Sequence, residues 1–267
     1  MEKKELARSL SLFPLGREGE GEEYRPLWKA FGKKRLILPD GFSNGRSGSG
    51  LSYNAAQLEE YGKMAPEVLE RFCLYPESLR AHVLVIPGPA NAYEPIKVHE
   101  EYSEFFGGGF ESDSEYGRFL NRHLDDRVHY GWKLFFAPPD SYGLPFDEQR
   151  KLGIGLMAVA NLGEALWLFG LWRLCRGQYP LDEGRYIRVV SKYRKKWLDG
   201  TSSERKKEKK IRSARGVLPA YLPIDDLIIE KPVLVGPANG GIRIIEDDGG
   251  GRSDTGLLFV EEVIRKI

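Results

Sequence analysis

The alternation of apolar and polar residues predicts several short strands along the chain. Two β-branched runs, at 83–86 and 233–235, are followed at once by Gly and Pro, which is typical of a buried strand that enters a turn. Apolar runs at 35–38 and 130–136 predict two further strands, and a pair of prolines stops the second of them.

Helical spacing occurs between these strands. Residues 52–72 show a helical pattern in which Ser52 is the expected N-cap and Pro66 starts a second helix after a break. Another helix is expected to end near Arg127, and a last helical turn is expected at 261–266. Because strands lie on both sides of a helical centre, the pattern predicts a mixed α+β fold.

Residues 152–174 form the most apolar segment of the chain, with Asn161 and Glu164 inside it. The segment is long enough to span a bilayer. A carboxylate near its middle is costly in hydrocarbon, its glycines weaken a helix, and the rest of the chain is hydrophilic. We therefore expect a buried helix, with a single membrane span as the alternative.

The predicted fold class is α+β, with short, mostly antiparallel strands around a buried apolar central helix. Residues 1–50 are expected to form an N-terminal extended or loop region. Residues 51–267 are expected to form a single α+β domain with a basic insertion at about 199–216. The length of 267 residues and the 41% share of hydrophobic residues are ample for a packed core.

One sequence pattern occurs twice. Val-Leu-Val is followed by Gly-Pro-Ala-Asn at 83–91 and at 233–239, and a triple glycine with Ser-Asp comes later in both places, at 107–114 and 249–255. This order predicts a duplicated strand-turn unit, and a chance match between two Gly- and Pro-rich segments is the alternative. Neither glycine loop has the Lys-Ser/Thr ending of a phosphate loop. A cation site at Asp247, Asp248 and Asp254 lacks the calcium-loop spacing.

The overall composition gives few clues to function. Forty Lys and Arg against 39 Asp and Glu give a net charge of +1, so the whole chain has no general attraction to nucleic acid or membranes. Cys73 and Cys175 lie among apolar residues, which favours two buried thiols in a reduced compartment and leaves one disulfide as the alternative. Residues 1–6 lack the apolar core of a secretory signal, so we expect a cytoplasmic protein or one inside an intracellular assembly or virion. The 30% charged residues with few Asn and Gln are typical of thermophile proteins.

The charge distribution is strongly uneven. Residues 185–215 contain thirteen Lys and Arg against three acids, and Tyr and Trp lie among the basic residues. Basic side chains neutralise phosphates and aromatic faces stack on unpaired bases, so this mixture predicts contact with nucleic acid. A solvated helix followed by a flexible basic loop, with its aromatic residues packed inward, is the alternative, and an acidic protein or anionic lipid would also fit. The predicted nucleic-acid-binding residues are Arg188, Lys192, Tyr193, Arg194, Lys195, Lys196, Trp197, Arg205, Lys206, Lys207, Lys209, Lys210, Arg212 and Arg215.

Motifs for enzyme chemistry are weak. The sequence has no nucleophile elbow, no dinucleotide fingerprint and no Cys-His signature, and it predicts no cofactor. Carboxylates and imidazoles at His99, Glu100, Glu104 and His123 suit a divalent metal, although their spacing is not His-Glu-x-x-His.

The leading functional hypothesis is a non-enzymatic structural or interaction subunit of a larger assembly, either a nucleoprotein or a viral particle. Its basic aromatic segment would contact nucleic acid, and other protein subunits or further copies of the chain would be its partners. The first alternative is a metal-dependent hydrolase or nuclease. The second is a single-span membrane-complex subunit that uses residues 152–174.

Overall fold

Two four-stranded sheets and several helices make up the described part of the computed structural model, so the mixed α+β class is confirmed. The structure describes residues 22–32, 34–39, 53–90, 126–153, 157–194, 228–238, 241–247 and 249–264. The α-helices are α1 (Arg25–Phe31), α2 (Ala55–Leu74), α3 (Glu77–Arg80), α4 (Phe146–Gln149) and α5 (Leu162–Arg176). The strands are β1 (Val83–Pro87), β2 (Trp132–Phe136), β3 (Ala158–Val159), β4 (Tyr186–Arg194), β5 (Ile228–Ala238), β6 (Gly241–Glu246), β7 (Thr255–Leu257) and β8 (Phe259–Val263).

The strand order is β1-β2-β8-β3 in the first sheet and β6-β5-β4-β7 in the second. All pairs in the first sheet are antiparallel. In the second sheet β4 and β7 are parallel, whereas β5 pairs antiparallel with both β4 and β6. Antiparallel pairing therefore dominates both sheets.

The first sheet separates two hydrophobic cores. Because successive side chains of a strand point to opposite faces, Leu134 lies in the core that contains α1 and α2, and Phe135 lies in the core that contains α5. The second core also contains Val189 and Val235 of the other sheet. Helix α5 thus packs in one core together with residues of both sheets.

Residues 22–32 and 34–39 are part of the folded structure, although the sequence predicted mostly loop for this region. Helix α1 buries Leu27 and Phe31, and the Phe31 ring lies 4.3 Å from that of Phe72 on α2, measured between centroids. The strand predicted at 35–38 is reduced to one bridge between Leu36 and Val85. The amide of Ile37 donates to the Val85 carbonyl at 2.9 Å, so this segment extends the edge of the first sheet.

Helix α2 is continuous, contrary to the predicted break at Pro66. Its cap is Asn54 rather than Ser52: the Asn54 side chain accepts a hydrogen bond from the amide of Gln57, and the Gln57 side chain accepts one from the amide of Asn54. This reciprocal pair is a capping box. The helix continues through the proline because one side of it packs against the first sheet; its buried residues are Tyr61, Gly62, Met64, Ala65, Val68 and Phe72.

Helix α5 occupies only the second half of the apolar segment predicted at 152–174. It begins at Leu162 behind the N-cap Asn161 and ends at Arg176, and its C-cap is Gly177, whose φ of 71° is favourable for glycine. The eleven residues from Leu162 to Trp172 are all buried. Within the described ranges, no helix combines the length and the apolar character that crossing a membrane requires.

The two matching Val-Leu-Val runs lie in different environments. The first forms β1, at the edge of the first sheet, and the chain leaves the strand at Gly88, whose carbonyl accepts a hydrogen bond from the Tyr61 hydroxyl at 2.9 Å. The second lies inside β5, where the Gly-Pro-Ala residues continue the strand and pair with β6. The prediction that Gly-Pro-Ala-Asn ends both strands is therefore wrong for the second run.

Two smaller predictions also need correction. The segment expected to form a last helical turn at 261–266 contains the end of strand β8. Cys73 is exposed rather than buried, and Cys175 is half-buried; both are free thiols. Burial raises the pKa of the Cys175 thiol to about 12, so this thiol stays protonated and unreactive at neutral pH.

Gly163 offers a test of the packing at the start of α5. We expect Gly163→Ala to lower the free energy of unfolding by more than about 2 kcal/mol, because its methyl group would overlap the backbone carbonyl oxygen of Asp126. The control is Gly62→Ala in α2, where the added methyl group meets only the exposed side chain of Glu23. Alanine is favoured over glycine in helices by about 1 kcal/mol, so the control should be at least as stable as the wild type. Urea unfolding measures both variants, and equal losses of unfolding free energy in Gly163→Ala and Gly62→Ala would contradict this packing.

Candidate functional site

The basic segment is the connection between two paired strands. Strands β4 and β5 are antiparallel neighbours, and their register continues to the pair Arg194 and Ile228. Residues 195–227 therefore join the ends of a two-stranded ribbon. The sequence alternative of a helix at the start of this segment is wrong over Tyr186–Arg194, which is a strand.

The ribbon extends beyond its neighbours in the sheet. Strand β7 pairs with β4 only at 186–188, and β6 pairs with β5 only at 233–238. Ser191 to Arg194 pair with Ile228 to Lys231, and among the described residues no third strand joins these four pairs. We call this part the ribbon extension. It lies between the body of the second sheet and the basic connection.

The structure describes only some of the predicted nucleic-acid-binding residues. Arg188 has a described side chain, whereas Lys192, Tyr193 and Arg194 are described only as backbone positions of β4. The following residues lie outside the described ranges: Lys195, Lys196, Trp197, Arg205, Lys206, Lys207, Lys209, Lys210, Arg212 and Arg215.

Arg188 has a different role from the phosphate contact that the sequence predicted. It is fully buried, and its Nε donates to Oδ2 of Asp247, whose side chain is also fully buried. Its Nη1 donates to Oε1 of Gln149 at 2.5 Å, and its Nη2 donates to the carbonyl of Gly250 at 2.7 Å. A buried guanidinium that holds these partners cannot also contact a phosphate at the surface. The prediction that Arg188 binds nucleic acid is therefore wrong.

The Arg188 contacts hold three separate segments together: β4, the region of α4 and the loop after β6. Gln149 extends this network, since its Nε2 donates to the carbonyls of Ser141 at 2.7 Å and Thr255 at 3.1 Å. The ring of Phe146 lies under the guanidinium, with 5.8 Å from Cζ to the ring centroid. One face of β4 is therefore fixed by a buried polar network.

Beyond β7, the same edge of β4 meets the residues before α5, and Ser191 lies on the face opposite Arg188. The amide of Val190 donates to the carbonyl of Ala160 at 3.0 Å, and Asn161 forms a bridge with Val190. The Ser191 hydroxyl donates to Oδ2 of Asp126, and both residues are fully buried. These contacts lie where the ribbon extension begins, so the start of α5 supports its base.

Three ionisable side chains lie beside this helix start: Lys133 on β2, Glu164 on α5 and Glu262 on β8. We call them the carboxyl–lysine cluster. Lys133 is fully buried and its Nζ pairs with Oε1 of Glu262, the residue opposite it in the sheet. Glu164 is 5% exposed, and its Oε2 accepts a hydrogen bond from the amide of Asn161 at 2.7 Å.

The protonation of Glu164 is set mainly by its burial, which raises its pKa to about 7. The Lys133 ammonium and the Asn161 amide lower the pKa, whereas the charge of Glu262 and a hydrogen bond to its carboxyl group raise it. Glu262 is the residue of the cluster that contacts water, since 30% of its side chain is exposed. The cluster can therefore gain or lose a proton near neutral pH.

Sequence reasoning missed this cluster. In the sequence Glu164 is conspicuous only as a charge inside an apolar segment, and no pattern distinguishes Lys133 or Glu262. One local signal existed, because Asn161 followed by Glu164 has the spacing of a capping box. The pairing of Lys133 with Glu262 joins residues far apart in the chain, so no local pattern could indicate it.

The predicted metal-binding residues His99, Glu100, Glu104 and His123 all lie outside the described ranges. In the part of the chain that the structure does describe, no group of three or more His, Cys, Asp and Glu side chains is arranged to hold a metal ion. The metal site therefore stays a prediction.

Comparison with known protein families, with curated proteins and with solved structures finds no match to this chain.

The buried role of Arg188 can be tested by substitution. We expect Arg188→Met to lower the free energy of unfolding by about 3–5 kcal/mol, because the Asp247 carboxylate would stay buried without its partner. A surface arginine that contacts phosphate would change stability by no more than about 0.5 kcal/mol. Urea unfolding of the variant measures the difference.

The matching control is a double-mutant cycle with Asp247→Leu. The double variant should be more stable than the sum of the two single losses predicts, by at least about 1 kcal/mol, because it leaves neither charge unpaired. Strictly additive losses would contradict a direct interaction between Arg188 and Asp247.

Proposed function

We propose that this chain is a non-enzymatic structural or interaction subunit of a larger assembly, either a nucleoprotein or a viral particle, and that its basic segment contacts nucleic acid. The observation that carries the proposal is the position of this segment at the end of the β4–β5 ribbon. A connection at the end of a ribbon that extends past its sheet is well placed to meet a large partner.

The charge of the segment supports a polyanionic partner. Residues 192–215 contain eleven Lys and Arg and three acids, whereas the whole chain has a net charge of only +1. Lys and Arg that neutralise phosphates release bound counterions, which favours binding at low salt. A strongly basic segment on an otherwise acidic protein therefore favours nucleic acid over partners without regular phosphates.

The residue types and the backbone geometry suit two forms of nucleic acid. Tyr193 and Trp197 lie among the basic residues, and aromatic rings of this kind stack on unpaired bases. A two-stranded antiparallel ribbon also has dimensions that fit the major groove of a duplex. Single-stranded and double-stranded oligonucleotides are therefore both needed in a test.

The test removes four charges from the basic segment. We expect the combined substitution of Lys206, Lys207, Lys209 and Lys210 by Gln to weaken oligonucleotide binding at least tenfold at about 0.1 M salt, because four phosphate contacts would be lost. The slope of log affinity against log salt should become shallower by about 3. Fluorescence anisotropy over a salt series measures both quantities.

The control removes the same number of charges elsewhere. Lys29, Lys34, Lys63 and Lys151 are exposed on other parts of the structure, and their combined substitution by Gln should leave the salt slope unchanged. Equal weakening by both variants would show that net charge alone matters. Absence of wild-type binding at low salt, together with a monomer whose size nucleic acid does not alter, would reject the proposed function.

A further inference from the structure

Two capping boxes occur among the described residues, and they differ in one informative way. Helix α2 uses Asn54 with Gln57, and helix α5 uses Asn161 with Glu164. In both helices the second side chain accepts from the amide of the asparagine, at 3.0 Å in α2 and 2.7 Å in α5. A glutamine side chain can therefore make the same capping hydrogen bond as a glutamate in this protein. The ionisable residue occurs at the buried box, where its charge is costly, and not at the exposed one.

The charges around Glu164 balance only when the cluster holds a proton. Lys133 faces it from β2 and Glu262 faces it from β8, so two carboxylates share one ammonium when all three groups are ionised. Two more charged residues lie at this helix end: the carboxyl group of Asp126 accepts from Ser191 of β4, and the carbonyl of Arg127 accepts from the side chain of Asn161. A protonated Glu164 can donate to the Glu262 carboxylate, and the described part of the cluster is then neutral.

The same carboxyl group is linked to β4 through the backbone. Glu164 accepts from the amide of Asn161, and the carbonyl of the preceding residue, Ala160, accepts from the amide of Val190. Val190 is the last residue of β4 before the ribbon extension. A movement of Glu164 away from its cap therefore loosens residues 160–161, which support the base of the ribbon.

We propose that the carboxyl–lysine cluster is a proton-sensitive contact that fastens the start of α5 to β4 at mildly acidic pH and weakens as the pH rises to neutrality. When Glu164 is protonated, it bridges the Asn161 amide and the Glu262 carboxylate. When it is ionised, two neighbouring carboxylates compete for Lys133 in apolar surroundings, and Glu164 gains hydration by moving out.

The direction of the effect follows from proton linkage. Burial raises the pKa of Glu164 from its ordinary value of 4.5 to about 7 in the closed structure. An opened state that exposes the carboxyl group has the ordinary pKa, so it binds the proton less tightly than the closed state. The closed state is therefore favoured most at low pH, loses its advantage as the pH rises through this interval, and changes no further above it.

Amide hydrogen exchange at Val190 provides the test, because this amide belongs to the contact between β4 and residues 160–161. In the wild type we expect its protection factor to fall by up to about tenfold for each pH unit as the pH rises toward 7, and to level off above it. In Glu164→Gln the protection factor should not change over this range, since the amide side chain keeps the cap but cannot ionise.

Two further variants make the test specific. Glu262→Gln removes the neighbouring charge that raises the Glu164 pKa, so the fall in protection should shift to lower pH. Glu59→Gln removes an exposed carboxylate on α2 and should behave as the wild type. A Val190 protection factor that is independent of pH in the wild type, or that falls equally in Glu164→Gln, would overturn the proposal. If Glu164→Gln does not fold, an unshifted fall in Glu262→Gln would overturn it.

An effect on nucleic-acid binding rests additionally on the proposed function. Lys and Arg side chains do not titrate between about pH 6 and pH 8, so a pH-dependent affinity that disappears in Glu164→Gln would come from the cluster. Protection that depends on pH without any oligonucleotide binding would reject the proposed function and leave the proton-sensitive contact supported. Oligonucleotide binding together with a Val190 protection factor that does not depend on pH would support the proposed function and reject the proton-sensitive contact.

Discussion

The burial of the N-terminus of α5 is the constraint on which the rest of the structure depends. The first amides of any helix lack partners within the helix, and burial removes water as their substitute. The side chains of Asn161 and Glu164 satisfy two amides at this end, each accepting from the amide of the other residue, but the carboxyl group of Glu164 then needs partners of its own. Lys133 and Glu262 supply them from two neighbouring strands of the first sheet. The need for hydrogen-bond acceptors at the start of α5 thus accounts for buried charged residues in both the helix and the first sheet.

Strand β4 connects this helix start to the proposed binding region. On one face it carries Arg188, which is paired with Asp247 and holds helix α4 and the loop after β6. On the other face Ser191 bonds to Asp126, and at the edge of the strand the amide of Val190 bonds to Ala160 before α5. Strong support on both faces is what a strand needs if its end is to project beyond its sheet and carry a basic connection of 33 residues, 195–227.

Local patterns in the sequence were sufficient for the fold class and for several elements, including the strand at 83–86 and a helix within 152–174. They were insufficient where distant partners decide the structure. Glu261 and Glu262 were expected in a last helical turn, yet they lie in β8, which pairs with β2 and β3, and Arg71 and Lys133 pair with them there. Arg188 looked like part of a basic surface, although Ile187 and Val189 beside it show the alternation of a strand. Its partner lies 59 residues further along the chain, beyond the reach of any local pattern.

The most direct measurement is the titration of the Glu164 carboxyl group in the intact protein. Carbon-13 NMR can follow its side-chain carboxyl signal, assigned by its absence in Glu164→Gln. Burial beside Glu262 predicts a pKa of about 7 for this group, above its ordinary value. A signal that titrates at the ordinary value of 4.5 would contradict the burial of Glu164 in the carboxyl–lysine cluster. It would also contradict the proton-sensitive contact between the start of α5 and β4.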